Sequence, residues 1–250
     1  MITNIFLDIE TIPAQSDAIK NRILAEAAKQ KAEVKAPANY KDAYKITEYI
    51  TAKHAEIDAS VADTLHKTSL DGARGEVWCI SWAVDNEPVQ NMSRVTPDDN
   101  AEAGILDSFF KTVLIYEEPR FVGHNVRDFD LRFLYHRAVI LGVNPGFHIP
   151  HDVRYNGTEV FDTMTGWAGW GNRISLARLC EALGLDPKGT EIGQEMDGSK
   201  VWEFVQAGRI DEVARYCDAD VERVRTAYER MTFCAEPVHW LSRPLAEPVR

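Results

Sequence analysis

Cysteine is scarce in this sequence, whose 250 residues include only Cys79, Cys180, Cys217 and Cys234. None of them forms a Cys-x-x-Cys pair or has a histidine at zinc-finger spacing, which argues against a disulfide framework and against the common structural zinc modules. The chain also lacks an apolar run of membrane-span length and a basic segment at its start. These absences predict a cytoplasmic protein with reduced thiols and no contact with a membrane.

Basic residues are scarce relative to acidic ones. The chain has 28 lysines and arginines against 39 aspartates and glutamates, a formal net charge of −11. This balance argues against broad, unspecific coating of nucleic acid, because such binding needs a basic footprint. The acidic charge is still compatible with an enzyme that binds a few nucleotides through bound metal ions and local basic residues. Hydrophobic residues make up 45% of the chain, which is enough for the core of one large domain.

The stretch from Asn4 to Thr11 combines an apolar run with two carboxylates. Residues 5–7 are apolar and β-prone, which predicts a buried strand. Asp8 and Glu10 follow two positions apart, and side chains alternate along a strand, so both lie on one face. Two such charges are costly to bury unless a cation compensates them, and Mg²⁺ and Mn²⁺ prefer carboxylate oxygens. An isolated Asp-x-Glu more often ends a strand in solvent, so the metal-site interpretation depends on carboxylates further along.

From about residue 14 to residue 70 the composition shifts to alanine, lysine, glutamate and isoleucine. Apolar residues recur at helical spacing on both sides of a break at residues 36–39. The second helical pattern has one apolar stripe, formed by Ile46, Tyr49, Ile50, Ile57, Val61 and Leu65. We therefore predict two solvated helices inserted after the first strand. A packing arm is the main interpretation, and a substrate clamp or a contact for a protein partner or for self-association is the alternative.

The remaining sequence alternates strand and helix patterns, which predicts one α/β domain over residues 1–233. Further strands are predicted at residues 76–84, 89–95 and 121–124. Helices are predicted from Thr96-Pro97-Asp98 onwards and at residues 128–141, 175–183, 200–207 and 210–231. The segment 166–171, rich in glycine, is predicted to be a loop. Residues 234–250, with three prolines, are predicted to form a surface tail.

Two more acidic motifs follow the Asp-x-Glu pair. In Asn125-x-x-x-Phe129-Asp130 a carboxylate stands at the junction of a strand and a helix, where α/β sheets place their ligands. In Tyr216-x-x-x-Asp220 a phenol and a carboxylate are one helical turn apart and project from one face. That pairing suits a site in which one group binds metal and the other positions a water molecule.

Taken in this order, the three motifs resemble those of the DEDD (DnaQ-like) 3′–5′ exonucleases. The tyrosine four residues before the last aspartate is similar to the DEDDy branch, which includes the proofreading domains of family-A and family-B DNA polymerases. Stand-alone exonucleases related to the family-B domain are the most similar. The resemblance spans residues 5–231 apart from the inserted helices. It implies an RNase H-like α/β fold, a mixed sheet flanked by helices, with a helical insertion after the first strand.

The resemblance also implies a role for each motif residue. Asp8 would bridge two divalent ions, Mg²⁺ or Mn²⁺. Glu10 and Asp220 would complete the site that holds the water nucleophile, and Asp130 would serve the second ion. Tyr216 would orient the attacking water, because an ordinary phenol pKa near 10 makes proton abstraction difficult at neutral pH.

Substrate contacts are expected from residues beside these motifs. Thr11 resembles the position that contacts the terminal nucleotide through its backbone. Asn125 and Phe129 belong to the second motif and are expected on the substrate side. Trp167 and Trp170 are candidates for stacking on unpaired bases, and they are equally compatible with covering an edge of the core.

The function predicted from the sequence is a two-metal 3′–5′ exonuclease that acts on single-stranded DNA and releases nucleoside 5′-monophosphates. The same chemistry on RNA is the first alternative, since no motif reports recognition of the 2′-hydroxyl. A catalytically silent nucleic-acid-binding module is a second, although all four motif acids are present. A phosphatase of the Asp-x-Asp type is a third, and Glu10 argues against it. No polymerase region follows the motifs, so we expect no proofreading within this chain.

Overall fold

The computed structural model describes residues 2–96, 101–186, 192 and 196–234. Its five strands form one mixed sheet in the order β3-β2-β1-β4-β5. They are β1 Thr3–Ile12, β2 Glu76–Val84, β3 Gln90–Ser93, β4 Pro119–Gly123 and β5 Val160–Asp162. Strand β1 lies at the centre, antiparallel to β2 and parallel to β4.

Eight α-helices accompany the sheet in the described part of the chain. They are α1 Asp17–Glu33, α2 Ala43–Lys67, α3 Glu102–Val113, α4 Arg132–Leu141, α5 Thr163–Ala168, α6 Leu176–Leu183, α7 Val201–Gln206 and α8 Ile210–Met231. A single π-helical turn, Arg127–Leu131, precedes α4. None of the helices that the structure describes has both the length and the apolar character needed to cross a membrane.

The two faces of β1 belong to different parts of the core. Ile5, Leu7 and Ile9 are buried in a cluster that includes residues of α3 and α4. Phe6 and Ile12, which alternate with them, are buried in clusters that include residues of α8. Burying each large apolar side chain contributes roughly 1.5–3 kcal/mol, so this alternation fixes which face each residue takes. The same period places Asp8 and Glu10 on the face that α8 covers.

Helices α1 and α2 form an antiparallel arm that begins just after β1. Ala27 is the one buried residue of α1, and α2 has none. The six predicted stripe residues of α2 are all half-buried. At the base, the Thr11 hydroxyl donates to the Ser69 carbonyl (2.7 Å), and the Ala14 N–H donates to the Thr68 hydroxyl (2.8 Å). The arm is therefore joined to the strand that carries Asp8 and Glu10.

The predicted fold class, a mixed α/β sheet flanked by helices with a helical insertion, is confirmed. Two local predictions were wrong. Strand β5 was not predicted, because three residues are too few to show a period. Residues 166–168 are helical rather than a loop, because Asp162 caps α5 by accepting from two backbone N–H groups. The predicted helix start at Pro97-Asp98 and the tail beyond residue 234 lie outside the described residues.

Candidate active site

Two carboxylates of β1 and one thiol of α8 converge beside the centre of the sheet. One potential ligand atom each from Asp8, Glu10 and Cys217 lies within 4.8 Å of the others. The Cys217 thiol donates to the Asp8 carboxylate, with a distance of 3.4 Å from Sγ to Oδ2. Glu10 is buried, whereas Asp8 is partly exposed. The group is thus enclosed by protein and open to solvent on the side of Asp8.

The backbone of β1 changes register where this group ends. Up to Glu10 the strand pairs residue for residue with β2, and between Glu10 and Thr11 the pairing shifts by one. Such irregularities re-aim the chain and are common beside active sites. Here the shift in pairing lies between the two carboxylates of β1 and Thr11. The Thr11 hydroxyl donates a hydrogen bond to the Ser69 carbonyl at the base of the arm. The Thr11 side chain therefore has a structural role at the base of the arm.

Asp130 reaches the same strand from the π-helical turn. The Leu131 N–H donates to the Val126 carbonyl (2.8 Å), five residues back, and this wider turn carries Asp130 inward. One Asp130 carboxylate oxygen accepts the Ile9 N–H at 3.1 Å, and the residue is buried. Burial raises the pKa of Asp130 well above its ordinary value, and the nearby negative charge of Asp8 raises it further. The two carboxylates are therefore close enough to repel each other.

The third motif lies on α8, and its residues are fully enclosed. Tyr216 is buried in the cluster that contains Ile12. Asp220 is also buried, and its carboxylate accepts from Arg223 Nη1 at 3.1 Å. In the described part of the chain, the three-residue group of potential metal ligands contains Cys217 and not Asp220. The assignment of Asp220 to the metal site and of Tyr216 to the attacking water remains a prediction.

Sequence reasoning missed Cys217. It lies three residues before Asp220, so helical spacing places these two side chains next to each other. Burial and the neighbouring Cys79, Asp8 and Glu10 together raise the pKa of the Cys217 thiol. This helical spacing was the signal in the sequence that could have identified Cys217. The thiol was not recognised as a neighbour of the acidic residues.

The donor atoms of this group fit a divalent metal ion. Asp8 and Glu10 offer the oxygen ligands that Mg²⁺ and Mn²⁺ prefer. The repulsion between Asp8 and Asp130 is a second sign, because a cation placed among carboxylates removes the cost of charging them together. The thiol of Cys217 is a softer donor that suits zinc better than magnesium. Asp8 and Glu10 therefore supply oxygen donors, and Cys217 a sulfur donor, to a candidate site for a divalent ion.

Asn125 and Phe129 lie at the start of the turn that carries Asp130. Asn125 has a φ of 64°, a left-handed conformation that asparagine tolerates better than most residues. Its backbone N–H donates to the Asp162 carboxylate at 3.1 Å, while its own side-chain oxygen is buried and has no hydrogen-bond partner among the residues that the structure describes. Phe129 is half-buried and packs at 5.8 Å against the ring of Phe133. Asn125 thus offers an unused acceptor, and Phe129 stabilises the turn.

Trp167 and Trp170 are both exposed, at 46% and 57%, but they differ in setting. Trp167 lies on α5, whereas Trp170 follows the helix. The guanidinium carbon of Arg154 lies 5.3 Å from the Trp170 centroid and 5.4 Å from that of Tyr155, and the two rings meet each other at 5.6 Å. We call Arg154, Tyr155 and Trp170 the aromatic platform. Sequence reasoning missed Arg154 and Tyr155, because they belong to an irregular loop without periodicity.

A buried arginine connects the aromatic platform to the turn of Asp130. Arg127, in the π-helical turn, donates to the Arg154 carbonyl and to the Thr165 hydroxyl, the latter at 2.7 Å. Its guanidinium also lies 5.6 Å from the Trp170 ring centroid. Asp162, 3.7 Å from the Arg127 Nε atom, caps α5 and therefore has a structural role. The platform is held by the same short segment that supplies Asp130.

Comparisons with known proteins bear on the family and the fold of the chain. Residues 75–239 match the model of a family described as predicted 3′-5′ exonucleases related to the exonuclease domain of PolB. No curated protein matches the chain. Among solved structures, it is similar to a family B DNA polymerase from the hyperthermophilic archaeon Pyrobaculum calidifontis, with a TM-score of 0.54 and 16% identity. That match covers 93% of this chain and 25% of the polymerase, so it shows the fold. The chain belongs to the family of predicted 3′–5′ exonucleases related to the exonuclease domain of PolB.

Proposed function

We propose that the protein is a metal-dependent 3′–5′ exonuclease that acts on single-stranded DNA and releases nucleoside 5′-monophosphates. The observation that carries this proposal is the convergence of Asp8 and Glu10 on one strand with Asp130 bound to the Ile9 N–H of that strand. A buried carboxylate such as Asp130 that is repelled by a neighbouring one is costly in a purely structural role. Such carboxylates are the expected arrangement for a site that binds cations.

Asp8, Glu10, Asp130 and Asp220 would hold two divalent ions, Mg²⁺ or Mn²⁺. When bound, the ions stabilise the charge that develops on the entering and leaving oxygens of an in-line displacement at phosphorus. Asp8 would contribute to holding both ions, because its carboxylate lies within 4.8 Å of that of Glu10 and its charge raises the pKa of Asp130. Asp220 would join the site by exchanging its contact with Arg223.

The other predicted site residues would bind the nucleic-acid strand and the attacking water. Tyr216 would orient the water, and the backbone of Thr11 would contact the terminal nucleotide. The free side-chain oxygen of Asn125 would accept a hydrogen bond from the substrate. The aromatic platform, together with Trp167, would stack on unpaired bases, which have a π-face whatever their sequence.

The products of the reaction test this proposal directly. Incubation with single-stranded DNA and Mg²⁺ or Mn²⁺ is expected to release nucleoside 5′-monophosphates, identified by mass spectrometry. An RNA strand of the same sequence, run in parallel, shows which sugar the site prefers. Intact DNA together with degraded RNA would make the protein an exoribonuclease. Binding of both strands without cleavage would make it a silent module.

Replacing Tyr216 by phenylalanine is expected to slow turnover by roughly ten- to a hundredfold and to leave DNA affinity unchanged, because only the hydroxyl that orients the water is lost. The measurement is single-turnover cleavage compared with binding in EDTA. Tyr228→Phe is the matched control, since it removes a hydroxyl from the same helix where that hydroxyl accepts from Arg120. An unchanged rate in the Tyr216 variant would remove the tyrosine from the mechanism.

Replacing Trp170 by alanine is expected to weaken binding of single-stranded DNA about fivefold or more, because one stacking surface is lost. Fluorescence anisotropy in EDTA measures this effect without cleavage. Ile115→Ala is the control, because Ile115 is 74% exposed and lies at the end of α3. Equal affinities of the Trp170 variant and the wild type would show that the aromatic platform only covers the core edge.

A further inference from the structure

The outer end of the arm carries exposed tyrosines among lysines. We call residues 34–49, which join α1 to α2 and form the first turns of α2, the arm tip. Tyr44 is 76% exposed and Tyr40 is 37% exposed. Tyr40 meets Tyr49 edge to face at 5.8 Å. A groove of about 650 Å³ is lined by Tyr40 and Tyr49, by Lys41 and Lys45, and also by Asp42 and Glu48.

The arm differs in charge from the rest of the chain. Residues 14–70 hold nine basic and eight acidic residues, a net charge of +1, so the other residues carry −12. Several arm lysines are neutralised by ion pairs, namely Lys31 with Asp58, Lys53 with Glu56 and Lys67 with Asp63. Lys35, Lys41 and Lys45 form no ion pair with any residue that the structure describes. The arm tip therefore holds three lysines without an ion pair among the described residues, against Asp42 and Glu48, and its net charge is +1.

The arm also has a geometry that suits a long ligand. It begins within a few residues of Glu10, and its base is fixed to β1 through Thr11 and Ala14. Helix α1 has 17 residues and is therefore about 25 Å long. A ligand that contacts both the candidate active site and the arm tip must be extended and several nucleotide units long.

We propose that the arm tip is a second binding site for single-stranded nucleic acid, with phosphates on Lys41 and Lys45 and a base stacked on Tyr44. Exposed aromatic rings beside lysines match the two things that such a strand offers, namely charge along its backbone and a π-face on each base. An acidic protein gains most from confining this charge to one place. The choice of ligand rests on the proposed function. While the 3′ end of a nucleic-acid strand is in the active site, the rest of that strand is free to bind the arm tip.

Salt dependence of binding tests the proposal. Fluorescent single-stranded DNA of about 30 nucleotides is bound by the full chain in EDTA at several salt concentrations. Lys41→Gln/Lys45→Gln is expected to lower the slope of log K against log salt by about 1.4, since each phosphate contact on a single strand contributes about 0.7. Tyr44→Ala is expected to weaken binding about fivefold or more. Neither variant is expected to change cleavage of a dinucleotide, which is too short to reach the arm tip.

A matched control separates local contacts from net charge. Lys67→Gln/Lys111→Gln removes the same charge from exposed lysines that are already paired with Asp63 and Asp107, and its slope is expected to stay at the wild-type value. Equal slopes for the two double variants would overturn the proposal. So would a change of oligomeric state in the arm-tip variants without a change in DNA affinity, which would assign the surface to self-association. Cleavage of DNA by arm-tip variants of unaltered affinity would refute this site and leave the proposed function intact.

Discussion

Replacing Asp8 by asparagine is expected to lower the rate of cleavage by roughly a thousandfold or more, with no loss of folded structure. Asp8 lies within ligand distance of Glu10 and interacts electrostatically with Asp130. A single change therefore removes charge from both candidate ion positions, and metal ions supply several kcal/mol of transition-state stabilisation. Each 1.36 kcal/mol corresponds to a factor of ten in rate. Single-turnover cleavage with Mg²⁺ and with excess Mn²⁺ measures the loss.

Asp218→Asn is the matched control for this variant. Asp218 lies on α8 between the two residues of the third motif, but its carboxylate accepts from Ser81 (2.7 Å) and Asn91 (3.1 Å). It is therefore committed to structure, and its variant is expected to keep most of the wild-type rate. Full activity of Asp8→Asn in excess Mn²⁺ would show that the site assignment is wrong.

Asp130→Asn is expected to abolish cleavage and, in EDTA, to raise the melting temperature by a few degrees. The wild type holds a buried carboxyl group whose charge is opposed by burial and by Asp8. Asparagine keeps the oxygen that accepts the Ile9 N–H and removes the charge. A protein of this size gains about 2–4 °C for each kcal/mol. Differential scanning fluorimetry with and without metal measures the effect.

The pH dependence follows from the raised pKa of Asp130. The folded protein holds this proton more tightly than the unfolded chain, so the wild type loses stability as the pH rises from the ordinary value of 3.8 up to the raised one. The Asp130→Asn variant does not lose stability in this way. In EDTA, the difference in stability between the variant and the wild type is therefore expected to grow with pH across this range and then level off. Saturating Mn²⁺ is expected to make the wild type the more stable of the two proteins, because only the wild type has the Asp130 carboxylate as a metal ligand. A variant less stable than the wild type at all pH values in EDTA would contradict this account.

The parts of the fold that the sequence predicted well depend on local patterns. The apolar run of residues 5–7 predicted β1, and the alternation of side chains along a strand predicted the shared face of Asp8 and Glu10. The helix predicted at residues 210–231 has the same bounds as α8. The break at residues 36–39 separated the two helices of the arm. Each of these signals is carried by residues that are near neighbours in the chain.

The parts that the sequence did not predict depend on contacts between distant segments. Cys217 meets Asp8 across 209 positions, and only the way α8 packs on the sheet determines that contact. The aromatic platform forms because Arg127 reaches the carbonyl of Arg154 and the ring of Trp170. Strand β5 exists through its parallel pairing with β4. No local period reports such contacts.

The measurement that tests the central claim most directly is the degradation of a 5′-labelled single strand of DNA. With Mg²⁺ or Mn²⁺, the account predicts a ladder of labelled products that shortens from the 3′ end one nucleotide at a time. EDTA and the Asp8→Asn variant are both expected to leave the strand intact. Immediate release of the labelled nucleotide, or a ladder that persists in EDTA, would contradict a metal-dependent 3′–5′ exonuclease.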